Sequence, residues 1–185
     1  MNVLPVKISK ICIGYGIEVL SYSKNEELIT EIGNGTELSN DGFTYNKNGK
    51  PVIFYDDTKS PQRYRFTIGH ELGHILLGHI GKYKLVNREP HPDDNPIEQA
   101  ANVFASRVLA PACVLWGLNV HSPEEIMRIC DISYPAAQFR AERMEQLYKR
   151  EKEFIAAHGR SCFLLSPLEK TVYNRFNDFI NRNRL

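Results

Sequence analysis

The stretch RFTIGHELGHILLGH, residues 65–79, contains the strongest structural and chemical signals in this chain. Its apolar residues recur around most of a helical circumference, as expected for a helix that other elements cover. Three histidines and a glutamate interrupt this apolar pattern. Polar groups buried without partners are costly, so a covered helix that carries these side chains needs something to satisfy them.

The segment His70-Glu71-Leu72-Gly73-His74 is an HExxH motif. At about 100° per residue, the two histidines lie one turn and roughly 40° apart on a helix, so both imidazoles can reach one metal ion. Glu71 projects beside them, where its carboxylate can accept a proton from a water molecule that the metal activates. The motif therefore predicts His70 and His74 as metal ligands and Glu71 as a general base. An amphipathic helix with two histidines on its polar face is the alternative.

Gly69 and Gly73 favour the metal site over that alternative. Each glycine costs a helix about 1 kcal/mol relative to alanine, unless another element approaches closely enough to exclude a side chain. Such an element would also surround the histidines and the glutamate. A metal ion with a water molecule would then satisfy all three side chains at once.

A catalytic zinc site usually has three protein ligands and one open position, so a third ligand is expected outside this helix. Glu98 is the best candidate, because it begins a stripe of small and apolar residues in the segment IEQAANVFASRVLAP, residues 97–111. With Asn95 as an N-cap, Glu98 could instead complete a capping box without any metal. Asn102, one turn later, is predicted to hydrogen-bond a metal ligand and hold its orientation.

His79 and His91 are the two histidines that follow the motif in sequence. His79 comes five residues after His74, which turns its side chain away from the ligand pair. It is therefore predicted to support a ligand through a hydrogen bond or to lie at the surface. His91 belongs to a polar segment predicted to be a loop, where it is either solvated or close enough to polarise a substrate carbonyl.

Turn and capping signals predict the remaining elements. Asn48-Gly49 is typical of a two-residue turn and predicts a hairpin at residues 43–56. Ser60-Pro61 starts the HExxH helix, predicted to run to residue 78, and Asn95-Pro96 starts the Glu98 helix, predicted to run to residue 110. Further helices are predicted at 7–13, after Ser122, from Ser133 to about Lys152 and after Ser166, with a strand at 17–20. Residues 21–40 support no clear prediction.

The composition argues against several classes of protein. A net charge of +1 gives no electrostatic reason to expect a nucleic acid or an anionic membrane as a partner. No uncharged run approaches the roughly 18 residues of a membrane helix, and no signal-peptide core is apparent, so we expect a cytoplasmic protein. The four cysteines are far apart in sequence and are expected to be reduced. From Arg140 onward Lys and Arg exceed Asp and Glu by 10 to 6, which a solvated helical face explains as well as DNA binding does.

The sequence around these motifs resembles the ImmA/IrrE metallopeptidases of bacterial mobile elements, phages and stress regulons. The resemblance rests on RYRFTIGHELGHILLGH and IEQAANVFASRVLAP, and it extends more weakly to LPVKISKICIGYGIEVL and SPEEIMRICDISYPAAQFRAERMEQL. It implies that His70, His74 and Glu98 are the ligands of one Zn²⁺ per chain, and that Glu71 is the general base.

The resemblance also implies an α+β fold. We expect a gluzincin-like, zincin-like metallopeptidase domain with a small sheet or hairpin packed on the HExxH helix, plus C-terminal helices. The catalytic domain is assigned to residues 1–118 and the C-terminal helical region to residues 119–185. The implied function is a zinc-dependent endopeptidase whose protein substrate is a helix-turn-helix transcriptional repressor, with no direct binding to nucleic acid or membrane.

The strand before the HExxH helix suggests where a substrate binds. Val52, Ile53, Phe54 and Tyr55 are predicted to form a sheet edge, to which an extended peptide could add as a further strand. Two other functions fit the same residues. One is a module of this fold that binds a repressor without cleaving it, and the other is an iron enzyme, because two histidines and one carboxylate also hold Fe(II).

Overall fold

The computed structural model describes residues 2–33, 41–79, 95–159 and 165–184. His91 and Cys162 lie outside these ranges, so the predictions for them stay predictions. The chain divides into two compact units. The site unit is Lys7–Leu109, and the helical unit is Met1–Val6 together with Ala110–Leu185.

A three-stranded sheet forms one layer of the site unit. Its strands are β1 (Glu18–Ser21), β2 (Gly42–Lys47) and β3 (Lys50–Tyr55), in the order β1-β3-β2. Between β2 and β3 the chain turns at Asn48 and Gly49, whose φ angles are 53° and 83°. Both angles lie in the left-handed region that a two-residue hairpin turn needs, so the predicted hairpin is confirmed.

β3 is the central strand, which overturns the prediction that Val52, Ile53, Phe54 and Tyr55 form a sheet edge. It pairs in parallel with β1 and antiparallel with β2, so its backbone donors and acceptors are used on both sides. Val52, Ile53 and Phe54 are also buried in the core. The prediction was wrong because β1, which is distant in sequence, covers the second side of β3. A substrate strand therefore cannot add to β3.

Helices form the rest of the site unit, and their bounds are α1 (Ile8–Gly14), α2 (Glu26–Gly33), α3 (Pro61–Leu76) and α4 (Pro96–Leu109). The helices predicted at 7–13, 61–78 and 96–110 are confirmed, with small differences at their ends. α3 begins as predicted: the Ser60 side chain accepts a hydrogen bond from the backbone N–H of Arg63, and a proline occupies the first turn.

α2 falls in the segment for which the sequence supports no prediction. Its apolar residues pack against a buried cluster on one face of the sheet; the contacts join Leu28, Ile29 and Ile32 to Phe43, Val52 and Phe54. Isolated helices this short are marginal in water, so the stability of α2 comes from this packing rather than from a local signal. That dependence explains why the helix was missed.

α3 is buried on every side along its central turns. Residues 67–74 are all buried, so the histidines of the motif and Glu71 lie inside the unit rather than on a polar face. β2 and β3 lie against α3, and α4 packs along it. This burial argues against the alternative of an amphipathic helix with a solvated histidine pair.

The close approach of α3 and α4 is centred on Gly73. A Cβ atom added there would lie 3.2 Å from the Ala101 Cα and 3.3 Å from the Ala101 carbonyl oxygen. At Gly69 the nearest atom, the Ala105 Cβ, would be 3.4 Å away, which is at the edge of an ordinary van der Waals contact. The packing of α4 therefore requires glycine at position 73, whereas position 69 has room for a methyl group.

We expect Gly73→Ala to destabilise the protein by about 1–3 kcal/mol, because the backbone of α4 must move to admit the methyl group. Gly69→Ala is the matched control. It adds the same group one turn earlier and should be neutral or stabilise by up to about 1 kcal/mol through helix propensity. Urea unfolding followed by circular dichroism measures both changes, and equal effects would contradict the packing role of Gly73.

The helical unit contains α5 (Ala112–Gly117), α6 (Pro123–Cys130), α7 (Tyr134–His158) and α8 (Pro167–Asn183). α5 packs on α7 and α8, and α6 packs on α7. Ser122 and Ser166 precede α6 and α8 as predicted, and each forms a capping box with the glutamate three residues later. Ser133 precedes α7 as predicted, although its side chain makes no capping hydrogen bond, and the helix is longer than expected.

α5 has no counterpart in the sequence predictions. It packs within the helical unit, so the compact division of the chain falls after Leu109. The functional boundary predicted after residue 118 stays a prediction. Together, the helices and the small sheet confirm the predicted α+β fold class.

One stretch of the described residues, Pro96–Gly117, is apolar and long enough to cross a membrane by composition and length alone. The helix assignments break this stretch, because α4 ends at Leu109 and α5 begins at Ala112. α4 also buries the carboxylate of Glu98 within the site unit. These are the properties of a core helix in a soluble domain.

Three cysteines are buried thiols, namely Cys12, Cys113 and Cys130. Burial raises the pKa of Cys12 and of Cys113 to about 11. Both therefore stay protonated at neutral pH, and a protonated buried thiol is a poor nucleophile. None of the three forms a disulfide with another described cysteine, and the expectation that they are reduced stays a prediction.

Candidate active site

Two helices bring three donor side chains together inside the site unit. His70 and His74 come from α3, and Glu98 comes from the first turn of α4. The Nε2 atoms of the two histidines are 2.9 Å apart. The Glu98 carboxylate lies across them, with Oε2 3.2 Å from His70 Nε2 and Oε1 3.3 Å from His74 Nε2. All three residues are buried, and we call them the donor cluster.

Each histidine is held from behind by a second side chain. His70 Nδ1 lies 2.9 Å from the Asn102 Oδ1, so the imidazole N–H donates to the amide oxygen. His74 Nδ1 lies 3.0 Å from His79 Nδ1, and one of these two nitrogens donates to the other. Hydrogen bonds of this kind fix the ring orientation and the tautomer of a ligand. The hydrogen bonds predicted for Asn102 and His79 are thus present.

The donor cluster fits a metal ion in spacing and chemistry. Ligand atoms around tetrahedral zinc are about 3.3 Å apart at usual bond lengths. Both imidazole–carboxylate distances match this value, and the two Nε2 atoms, 2.9 Å apart, would have to separate slightly to share an ion. Because His70 Nδ1 carries the proton donated to Asn102, a neutral His70 presents a lone pair at Nε2. The two Nε2 atoms and the carboxylate oxygens all carry lone pairs, so at these distances they need either protons or a cation between them. A cation that binds there displaces the protons. The three side chains could therefore hold a metal ion.

The surroundings of Glu98 favour the ionised form of its carboxyl group. Hydrogen bonds with the imidazoles of His70 and then His74 hold the pKa of its carboxyl far below the usual range. Both carboxylate oxygens face the histidines. The Asn95 side chain caps α4 through the backbone N–H of Ile97. This geometry favours the ligand role of Glu98 over the capping-box alternative.

Glu71 follows His70 of the donor cluster on α3 and is buried. Its Oε2 accepts a 2.7 Å hydrogen bond from the Thr44 hydroxyl of β2. No functional role was predicted for Thr44 from the sequence. The alternation of side chains along a strand could have indicated it. Phe43 packs in the core cluster on one face of β2, so Thr44, the next residue, points to the other face.

The structure brings together the predicted residues on α3 and α4 and separates them from the predicted substrate strand. His70, His74 and Glu98 form one cluster, with Glu71 beside His70 in the chain. The side chains at 52–54 are in the core instead. The chemistry expected from the HExxH spacing is therefore geometrically possible, whereas the substrate site has to lie elsewhere.

The comparison with known families agrees with this geometry. A family model described as the IrrE N-terminal-like domain, peptidase M78, matches residues 32–142. No curated protein matches the chain. The matched residues are more than half of the chain and include the hairpin, α3, α4 and the whole donor cluster. The family is one of peptidases, which implies a metallopeptidase-like function. The chain belongs to the peptidase M78 family of IrrE N-terminal-like domains.

Proposed function

We propose that the chain is a zinc-dependent endopeptidase that hydrolyses a peptide bond in a protein substrate. The observation that carries this proposal is the buried donor cluster of His70, His74 and Glu98, with the buried Glu71 next to His70 in the chain. Catalytic zinc sites have three protein ligands of these types and keep one position open. Membership of a peptidase family supports the same reaction class.

In this proposal His70, His74 and Glu98 hold one Zn²⁺. When bound there, zinc lowers the pKa of a water molecule and polarises a carbonyl group. Asn102 and His79 keep the two imidazoles in the orientation in which Nε2 faces the ion. The same donor types also bind Fe(II), and full activity of an iron-free, zinc-loaded preparation would exclude the iron enzyme.

Glu71 is the proposed general base. Its carboxylate accepts the proton of the attacking water and passes it to the leaving amine. Burial removes competing bulk water from around the carboxylate, and the contact with Thr44 fixes one of its oxygens. In the chain, Glu71 directly follows the proposed zinc ligand His70, and both residues are buried on α3.

The substrate we propose is a helix-turn-helix transcriptional repressor, cut once to release the genes that it controls. Support comes from the resemblance to the ImmA/IrrE proteins. Such a repressor acts in the cytoplasm, so the proposal also places the chain there. Neither direct binding to nucleic acid nor binding to a membrane forms part of the proposed function.

The substrate strand is proposed to bind at the outer edge of β2. Asp56 N donates to Asp41 O at 2.9 Å, so this pair is hydrogen-bonded across the hairpin. Antiparallel pairs alternate, and the N–H and C=O groups of Gly42, Thr44 and Asn46 therefore point away from β3. Among the described residues no strand pairs with this side of β2. An extended peptide added there would pair with β2, the strand whose Thr44 contacts Glu71.

Asn46→Pro should raise KM by about 5- to 10-fold with little change in kcat, because it removes one outward N–H donor from the β2 edge. The inward hydrogen bonds of the hairpin remain, since Asn46 faces Pro51 in a pair without cross-strand bonds. The Asn46 side chain also accepts from Gly49 N. Asn46→Ala removes only that contact and is the control. Equal KM values for the two variants would place the substrate elsewhere.

The test of the proposed function uses intact-mass analysis of the helix-turn-helix repressor encoded nearest this gene. The repressor is incubated with the zinc-loaded chain, with the chain plus a chelator, and with Glu71→Gln. One discrete cut made only by the zinc-loaded wild type is the expected result. A stable complex without any cut would favour the module that binds a repressor without cleaving it. Neither a cut nor a complex would reject this repressor as the substrate.

A further inference from the structure

A hydrogen bond from Thr44 joins the sheet to the proposed base. The Thr44 Oγ1 on β2 is 2.7 Å from the Glu71 Oε2 on α3, and the two residues are 27 positions apart in the chain. A carboxylate can only accept, so the hydroxyl donates. The proposed base is therefore held by a neutral side chain from another element as well as by its own helix.

Two contacts with α3, at Gly42 and Asp41, hold the start of β2 next to Thr44. Two residues earlier, β2 lies so close to α3 that a Cβ atom at Gly42 would be 2.5 Å from the Thr67 Cγ2. One residue before that, the Asp41 carboxylate accepts two hydrogen bonds from the Arg63 guanidinium of α3. The branched side chain of Thr44 also has few χ1 rotamers in a strand. The hydroxyl is thus presented by a rigid strand rather than by a loop.

We propose that Thr44 is a positioning residue for the base: its hydroxyl holds the Glu71 carboxylate in the plane that proton transfer requires. This proposal rests on the proposed peptidase function. With Oε2 held, rotation of the carboxylate about its terminal bond is restricted, and so the direction of Oε1 is set as well. Preorganised geometry of this kind contributes to rate because a small misplacement of a catalytic group can cost about 10²-fold.

Thr44 would also connect binding to catalysis. Its backbone N–H and C=O point to the outer edge of β2, where the substrate strand is proposed to add, while its hydroxyl reaches Glu71. The residue that pairs with the substrate and the residue that orients the base are then the same.

The first test compares steady-state kinetics of Thr44→Val and Thr44→Ser. Valine keeps the shape of threonine without the hydroxyl, and we expect kcat to fall by about 10- to 100-fold while KM stays within about 2-fold. Serine keeps the hydroxyl and should restore kcat to within about 3-fold of wild type. A fall in kcat that serine does not rescue would show a packing role and overturn the proposal. If the valine variant does not fold, Thr44→Ala against Thr44→Ser makes the same comparison.

The second test is independent of turnover and uses acetohydroxamic acid as a probe. A hydroxamic acid chelates zinc and gives up a proton that a neighbouring carboxylate can take. Isothermal titration of the zinc-loaded proteins should show about 10-fold weaker binding for Thr44→Val and unchanged binding for Thr44→Ser. Thr67→Val is the control, because the Thr67 hydroxyl is buried on the same face of α3 but donates to the Arg63 carbonyl. It should bind the probe as wild type does.

A double-mutant cycle then separates this proposal from the proposed function. In the Glu71→Gln background, Thr44→Val should cause no further loss of hydroxamate affinity, because the two residues act through one hydrogen bond. Two outcomes would overturn the role of Thr44 without affecting the proposed peptidase function. One is an equal loss of hydroxamate affinity from Thr44→Val in the wild-type and Glu71→Gln backgrounds. The other is wild-type hydroxamate affinity in Thr44→Val itself. A wild-type chain that binds neither zinc nor the probe would overturn both.

Discussion

Replacement of Glu71 by glutamine is expected to lower kcat by about 10³- to 10⁴-fold while zinc stays bound, because the variant lacks a group that can take a proton from water. Glutamine has the same shape as glutamate, so the close contacts of residues 67–74 are preserved. The three side chains of the donor cluster are unchanged, and substrate affinity should be unchanged as well. The predicted effect is therefore confined to turnover.

Intact-mass analysis of the substrate gives turnover for this variant, and chelator competition gives its zinc affinity. Turnover and zinc affinity have to be compared in the same variant. Lost turnover with retained zinc identifies a base, whereas lost turnover with lost zinc would show that position 71 supports the metal. Undiminished cleavage by Glu71→Gln would remove Glu71 from the mechanism altogether.

Substitution of Glu98 by alanine has the second largest expected effect, on metal binding itself. Its two oxygens are the contacts that complete the donor cluster around His70 and His74. Loss of a partner behind a ligand typically costs about 10- to 100-fold in metal affinity, and loss of a ligand should cost more than that. We therefore expect zinc affinity to fall by more than about 100-fold, with loss of all cleavage.

Chelator competition measures this change, and Glu71→Gln is the matched control, because it alters a neighbouring buried glutamate outside the donor cluster. Glu98→Gln separates charge from shape. It keeps the size of the side chain and should still lose zinc, since an amide is a much weaker ligand than a carboxylate. Wild-type zinc affinity in Glu98→Ala would mean that the third ligand is another residue.

Glu98 also predicts a pH dependence of the metal-free protein. The histidines hold its pKa below the ordinary value of 4.5 in the folded state. A group with a lowered folded-state pKa stabilises the fold above its unfolded pKa, and this contribution is lost as the pH falls towards the folded value. The metal-free wild type should thus lose stability below about pH 4.5 more steeply than Glu98→Gln does. Urea unfolding at several pH values measures the stability of both proteins. If stability falls equally with pH in the wild type and in Glu98→Gln, the coupling to the histidines is contradicted.

The parts of the fold that sequence predicts well are those with local signals. The HExxH spacing, the caps at Ser60 and Ser166 and the Asn48-Gly49 turn all act within a few residues, and the structure contains each of them. The donor cluster was also predictable, because the periodicity of α4 shows which of its residues face inward. Glu98 lies on that buried stripe.

The parts that sequence misses depend on contacts between distant segments. β3 looks like an edge strand until β1 is placed beside it, and no local pattern reports that parallel pairing. α2 is stabilised by packing against the sheet rather than by its own residues. Thr44 gains its role only because β2 lies against α3 in this register. Each error follows from tertiary structure overriding or supplementing a local preference.

The absence of a side chain at Gly73 bears on the geometry of the proposed metal site. It lets the backbones of two helices come close enough for Glu98 to reach both imidazoles at 3.2 and 3.3 Å. Calcium needs about six to eight oxygen ligands at about 2.3–2.6 Å, a larger and harder coordination sphere than this one. A methyl group at position 73 would push α4 away from α3, and the distances from Glu98 to both imidazoles would lengthen with it.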